Sequence, residues 1–416
     1  MTSGIKNFKV DGRAAFTYPA FVFYELARFF VVASTEMQSV AVGWQVYDIT
    51  HRAFDLGLVG LCQFVPGITL FLVSGHVADR FNRRYLLMSC YVGFATCSGL
   101  LLFVTYRGAP SVRSIYAVLV LLGVVRSFSG PVSRALLPEL VPEEHFPNAV
   151  TWHSTVFQIA TILGPAIGGL LYAAFRGPSA VYTTALASAG LAVICTTFIR
   201  SNGTARAREP VNLSTVLAGF RYIKQQKVIL GSISLDLFAV LLGGAVALLP
   251  VYAREILHTG PWGLGLLRTA PAVGAAAMAI LLAYRPLRSR VGATMLWCVG
   301  GFGAFTIVFG LSRNLVLSLL ALVLVGASDV VSVVIRVTLL QLLTPDHMRG
   351  RVNAVDMVFI GASNELGQFE SGLTASWFGT VPAVVLGGVG TLIVTAIWAW
   401  TFPELRRADK LTPSGN

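Results

Sequence analysis

The chain has 416 residues, 55% of them apolar and only 12% charged, with a mean hydropathy of +0.72. So little charge cannot cover the surface of a soluble protein of this length, which excludes that class. The net charge of +12 would point to nucleic acid in a soluble protein, but here Lys and Arg fall in short clusters between apolar runs, a mark of membrane topology.

The first 20 residues carry Lys6, Lys9, Asp11 and Arg13 and lack the apolar region and cleavage site of a signal peptide. The first span is therefore expected to be a retained anchor. Hydropathy and helix breakers predict spans near 19–46, 56–77, 84–106, 114–137, 147–175, 179–199, 229–252, 263–284, 292–311, 315–343, 353–377 and 381–402. Helices are expected because lipid offers backbone groups no other partner. The fold class is thus an all-α membrane protein of twelve transmembrane helices.

Basic residues set the orientation. One set of loops holds Lys6, Lys9, Arg13, Arg80, Arg83, Arg84, Arg134, Arg200, Arg206, Arg208, Arg221, Lys224, Lys227, Arg285, Arg288, Arg290, Arg349, Arg351, Arg406, Arg407 and Lys410. The opposite set holds Arg52, Arg107, Arg113, Arg176, Arg254, Arg268 and Arg313. This asymmetry predicts that both termini are cytoplasmic. The longest connection, about 200–228, starts polar. It then places Val211, Leu213, Val216, Leu217, Phe220 and Ile223 on one helical face, with Arg221 and Lys224 outside. A surface helix is expected there, dividing the chain into six-helix bundles at 1–200 and 229–416 joined by a linker at 201–228.

The halves echo each other. Leu136–Pro142 returns as Leu339–Pro345 at an offset of 203, Asn148-Ala-Val150 as Asn353-Ala-Val355 at 205, and Gly164–Gly169 as Gly367–Gly372 at 203. Both halves start on the same side, so the repeat is parallel, as in transporters that rock around a midplane site.

Between the second and third spans lies Gly75-His-Val-Ala-Asp79-Arg80-Phe-Asn-Arg83-Arg84. It resembles the signature loop of the major facilitator superfamily, G-x-x-x-D-R-x-x-R-R, which implies a gating latch formed by Gly75, Asp79, Arg80, Arg83 and Arg84. The corresponding loop of the second half, Arg285–Gly292, lacks the Asp, so the latch is expected to be asymmetric. Ala41–Thr50, Leu217–Arg221 and the Thr344-Pro345 loop extend the likeness to the bacterial enterobactin-exporter and macrolide-efflux branch. Gly164, Pro165, Gly168 and Gly169 are similar to the fifth-span motif of exporters and antiporters, although Ala160 stands where that pattern has glycine. Pro165 frees a carbonyl and kinks the helix, and the glycines permit close packing. The resemblance implies two parallel six-helix bundles and proton-driven efflux of a small amphipathic compound such as a siderophore or drug, from the bacterial inner membrane.

Ionisable groups at bilayer depth point to function. The predicted spans hold Glu25, Arg28, Glu36, Arg126, Asp236, Asp329, Arg336, Asp356, Glu365 and Glu370. Arg126 and Asp329 each precede the matching proline, Pro142 or Pro345, by sixteen residues, so they are expected to pair across the cavity. Glu36, Asp329, Glu365 and Glu370 are the proton-coupling candidates. For Arg28, Asp236 and Arg336 a structural ion pair and a transport role stay open. Gln38, Trp44, Gln45, Tyr47, Gln63, Phe64, Gln158 and Phe238 are candidates for a substrate cavity. Cys62, Cys90, Cys97, Cys195 and Cys298 all lie in apolar stretches and are expected to be buried free thiols, and no histidine has a partner at metal-ligand spacing. No metal, cofactor or nucleic acid is expected; the expected partners are the lipid bilayer, a small-molecule substrate and protons, and the chain is expected to be a monomer.

Hydrolase, zincin, nucleotide-binding and CxxC motifs are absent, which disfavours an enzyme. An importer of the same superfamily and a flux-free sensor remain alternatives. A C-terminal green fluorescent protein fusion is expected to fluoresce, and a C-terminal alkaline phosphatase fusion to stay inactive, in a bacterial host. The opposite pattern would invert the assigned orientation.

Overall fold

The computed structural model describes residues 12–107, 111–200, 213–287 and 289–409, apart from the side chains of Phe71, Leu72, Asp79, 213–216, Asp346 and His347. Among the described residues there are helices and no strand. The first set is α1 (Pro19–Thr50), α2 (Ala53–Thr69) running on as α3 (Phe71–Arg80), α4 (Arg83–Tyr106), α5 (Val112–Leu136), α6 (Phe146–Ala174) and α7 (Ser179–Thr197). A connecting helix, α8 (Leu213–Gln225), leads to the second set. That set comprises α9 (Lys227–Gly243), the single turn α10 (Leu249–Val251), α11 (Gly260–Tyr284), α12 (Val291–Leu311), α13 (Leu315–Leu343), α14 (Asp346–Phe378), α15 (Thr380–Thr401) and the short α16 (Pro403–Arg406).

Nine helical segments among the described residues are long and apolar enough to cross a membrane, Lys227–Ile256 counting as one. The remaining three of the twelve are those that depart from uniform apolarity. α1 carries Glu25, Arg28 and Glu36, α14 carries Glu365 and Glu370 among other charges, and the second span breaks at Leu70 after Pro66.

The seventh span, expected as an unbroken helix over 229–252, is instead interrupted. α9 stops at Gly243, a 3-10 turn covers Ala245–Leu248, and after α10 the backbone winds as a π-helix over Tyr252–Ile256. The interruption frees the Gly244 carbonyl, and Ser371 Oγ of α14 donates to it at 3.0 Å. At bilayer depth such a group must be satisfied within the protein.

Packing follows the internal repeat. α1 lies on α6 and α7, α4 on α5 and α7, and α2 on α5; in the second half α11 lies on α13, α12 on α13 and α15, and α9 on α14 and α15. Hydroxyls tie helices together: Ser34 Oγ donates to the Ala185 carbonyl (2.7 Å), Ser188 Oγ to that of Phe30 (2.8 Å) and Thr391 Oγ1 to that of Ala239 (3.2 Å).

The halves meet chiefly through two helix pairs, α2 with α14 and α6 with α11. Both contacts are glycine-mediated and lie toward the end remote from Gly12 and Asp409. A Cβ on Gly372 would come within 2.7 Å of Gly57 Cα, and one on Gly169 within 2.8 Å of Gly265 Cα. At the same end Arg254 of the π-turn pairs with Asp48 and sits 5.9 Å over the Trp44 ring, while Tyr47 donates to Glu255.

α8 docks on the second half, though not by the face expected. Gly219 lies against the Arg351 backbone, and Ile223 is buried among Leu340, Val352 and Val355. Leu217 and Phe220 are exposed, on the side of Arg221 and Lys224. The helix thus divides its apolar residues between protein and surroundings, as an interfacial helix does. Val211 lies outside the described residues, and the side chains of Leu213 and Val216 are among those not described.

In a cysteine-free background, Asp48→Cys with Arg254→Cys is expected to be cross-linked by a short reducible bifunctional thiol reagent and to lose transport until the link is reduced. Full transport with the link intact would show that this end need not open.

Candidate functional site

Between the halves lies a chamber of about 190 Å³, and against it a larger one of about 550 Å³ that leads toward the end bearing Gly12 and Asp409. Thr35, Glu36 and Arg126 line both. The inner chamber takes Glu36, Gln38 and Ser39 from α1, Gln63 from α2, Arg126 from α5, Arg268 from α11, and Glu365 and Gln368 from α14.

Its polar groups reach across the two halves. Arg126 Nη1 donates to Gln63 Oε1 at 2.9 Å and lies 3.7 Å from Glu365 Oε1; Gln368 Nε2 donates to Glu365 Oε2 at 3.2 Å. Arg268 reaches the other way, donating to Ser39 Oγ beside Glu36. Each half therefore supplies one glutamate and one arginine. The buried Gln38 accepts from Ser98 Oγ of α4 at 2.7 Å, but its Nε2 has no acceptor among the described residues, and neither has the buried Arg268 Nε.

The glycines of the fifth-span motif put two of these charges in place. A Cβ on Gly164 would lie 2.5 Å from Glu36 Cβ, and one on Gly168 2.9 Å from the Met37 backbone, so α1 can rest on α6 only over glycine. Gly265, three residues before Arg268, would by the same measure meet the Pro165 carbonyl at 2.7 Å, and Thr269 Oγ1 donates to the Ile162 carbonyl at 3.1 Å. Pro165 leaves the Thr161 carbonyl without its helical donor, and α11 bonds the neighbouring carbonyl, that of Ile162.

Arg268 was assigned from sequence to a loop at the remote end, and the structure corrects this. It lies within α11, inside the span expected at 263–284, and lines the inner chamber. The expected Arg126–Asp329 pair is also corrected. Asp329 turns into its own half, where with Asp236, Ser328 and Ser332 it lines a separate space of only about 10 Å³. Equivalence in a repeat fixes height along the helix, but α13 presents this position toward α9 rather than toward α5. Glu370 accepts from Thr374 on its own helix at 2.7 Å and lines neither chamber.

Of the polar cavity candidates, Gln38 and Gln63 line the inner chamber and the others do not. Gln45 is locked inside the first half between Thr105 and Tyr182. Gln158 Nε2 donates across the halves to the Ala272 carbonyl at 2.8 Å. Trp44 packs at the closed end against Tyr172 and Arg254, Phe238 packs on Trp398, and Phe64, one residue beyond Gln63, is turned away from the chambers.

Arg336 sits between two acids, Asp356 and Asp236, the latter at 3.5 Å, all three buried. Arg28 donates to the His153 carbonyl, lies 4.0 Å from Glu25 and covers the Phe157 ring; His153 Nδ1 is 2.8 Å from Glu25 Oε1. In the signature loop Arg83 pairs with Glu139 and bonds the Ala135 carbonyl (3.2 Å), and Arg84 donates to the Thr197 carbonyl at 2.5 Å. These contacts tie the loop to α5 and α7 of its own half. Gly75 and Arg80 lie in α3, and the side chain of Asp79 is outside the described ones.

Arg336→Leu is expected to destabilise the purified protein by about 3–5 kcal/mol, since it leaves two buried carboxylates without a cation. Thermal unfolding in detergent checks this; an unchanged melting temperature would deny the triad a structural role.

Residues 12–414 match the family described as transmembrane secretion effector. The enterobactin exporter EntS of Shigella boydii serotype 4 (strain Sb227) is 27% identical over 409 residues, covering 95% of each chain, and that of Escherichia coli O1:K1 / APEC gives the same figures. Among solved structures, a bacterial homologue of the lysosomal transporter Spinster in an inward-facing, occupied conformation superposes with a TM-score of 0.73 at 13% identity, over 94% of this chain and 98% of that one. A POT family transporter bound to a thioalcohol-conjugated peptide gives 0.74 at 11% identity, over 92% and 96%. These two likenesses speak for the fold alone. The chain belongs to the transmembrane secretion effector family of the major facilitator superfamily, and is a multi-pass membrane transporter rather than an enzyme.

Proposed function

We propose that the protein exports a small amphipathic molecule, siderophore- or drug-like, across the bacterial inner membrane in exchange for protons. The halves 1–200 and 229–416 rock about the central chambers, joined by the linker 201–228, with both termini cytoplasmic. The export direction is supported by the enterobactin exporters that share 27% identity over nearly the whole chain.

The observation that carries the coupling is the crossed set of charges in the inner chamber. Arg126 of the first half faces Glu365 of the second, and Arg268 of the second reaches to Ser39 beside Glu36 of the first. Rocking pulls each carboxylate away from the other half's guanidinium. A carboxylate at bilayer depth that loses its cation takes up a proton, and one that regains it releases the proton. Proton occupancy thereby follows the access state, which is the requirement for exchange. Asp329 and Glu370, lying off this path, have a smaller part in the proposal than Glu36 and Glu365.

In proteoliposomes, addition of enterobactin or a macrolide is expected to drive proton movement read by a trapped pH dye. Glu36→Gln and Glu365→Gln should each abolish the proton signal while binding persists. Unchanged cellular retention of siderophores and of a drug panel after deletion of the gene would sink the efflux reading.

A further inference from the structure

The larger chamber has a chemical bias that a carrier of cations would avoid. Its wall carries Arg28, Arg126 and Arg134, with Glu36 the one carboxylate on it among the described residues. Arg28 is matched by Glu25 behind the wall at 4.0 Å, and Arg126 by Glu365 at 3.7 Å. Arg134 has no carboxylate within ion-pair distance among the described residues. Its contacts are the Gly130 carbonyl at 3.4 Å, at the limit of a hydrogen bond, and the Met357 sulfur of α14 at 2.8 Å. Counting both chambers, four arginines (28, 126, 134 and 268) face three glutamates (25, 36 and 365), with His153 beside them.

A second observation points the same way. Gln38 Nε2 and Arg268 Nε in the inner chamber are buried donors with no acceptor among the described residues. Buried polar groups are almost always paired, so these two inner-chamber donors are open to acceptors that a ligand brings, while Glu25 Oε2, behind the wall of the larger chamber, is a buried acceptor in the same condition. The larger chamber also presents rings, Tyr91, Phe94 and Phe157, and its 550 Å³ is within the range that holds a drug-sized molecule.

Building on the transport reading above, we infer that the larger chamber is an entry site for an aromatic anion, a ring system bearing carboxylate, phenolate or sulfonate oxygens, with Arg134 as its primary charge contact. The rings receive the aromatic part and the guanidinium the oxygens, a match that also disfavours cationic amphiphiles of the same shape. The bound anion then has acceptors to offer Arg268 and Gln38 as it moves inward.

Fluorescein and rhodamine 123 share a ring system and differ in charge sign, which makes them a matched pair of probes. With the full chain in phosphatidylcholine nanodiscs, anisotropy titration is expected to show tighter binding of fluorescein than of rhodamine 123. Arg134→Gln should weaken fluorescein by about tenfold or more without weakening rhodamine 123, Arg134→Lys should restore most of the loss, and the melting temperature should stay that of the parent. Equal affinity for the two dyes, binding of neither, or an Arg134→Gln variant that binds fluorescein as the parent does would overturn the inference. So would loss of fluorescein binding in phosphatidylglycerol discs to the level of Arg134→Gln, which would assign the chamber to lipid headgroups. Proton-coupled efflux together with a preference for rhodamine 123 would defeat this inference alone; anion preference without any flux would defeat the transport reading alone.

Discussion

The site depends on a steric condition at the junction of α1, α6 and α11. Three helices can approach closely enough to set Glu36 and Arg268 on one chamber only if the positions between them carry no side chain, and Gly164, Gly168, Gly169 and Gly265 meet that condition. In lipid there is no hydrophobic drive to press helices together, so close backbone approach and its dispersion contacts must do so. Adding a methyl group at any of these four positions would push apart helices that carry Glu36 and Arg268. The exporter-like motif of the fifth span is thereby given a mechanical meaning: it is the surface against which two charged helices register.

The molecule uses its charges differently in different places, despite the repeat that the halves share. In the second half Asp236, Arg336 and Asp356 close on one another within a single bundle, so they move as one body. In the inner chamber Arg126 and Arg268 each reach a residue of the opposite half, so any rocking must rearrange them. The same side-chain chemistry joins helices of one bundle in one place and helices of two bundles in the other. What separates the roles is whether the partners lie in one bundle or in two.

Much of the architecture was readable from the residues. Twelve spans, the parallel repeat and the family motif all depend on position along the chain, which hydropathy and spacing report well. What the sequence conceals is azimuth. A membrane helix is apolar toward its neighbours and toward lipid alike, so the periodicity that reveals a buried face in a soluble protein is erased. Gln63 and Phe64 illustrate this, being adjacent and turned to different surroundings. Arg126 and Asp329 share a position in the repeat, yet they line different spaces. Arg268 escapes because it stands near the start of the span expected at 263–284, where a lone cation looks like a loop residue; the signal that could have found it is Gly265, whose packing partner is Gly169.

The closed end has a consequence for how the molecule switches. Its ionic clasp, Asp48 with Arg254, is partly open to solvent, and such pairs contribute only about 0–1 kcal/mol. Beyond that clasp, the Tyr47–Glu255 hydrogen bond and the Arg254–Trp44 contact, the closure is backbone laid on backbone through Gly57, Gly169, Gly265 and Gly372, and dispersion forces of that kind fade over a fraction of an ångström. An attraction so short in range cannot be stretched; it is either made or lost. The remote end should therefore have no half-open resting position, and the transporter should occupy two discrete shapes with a sharp passage between them.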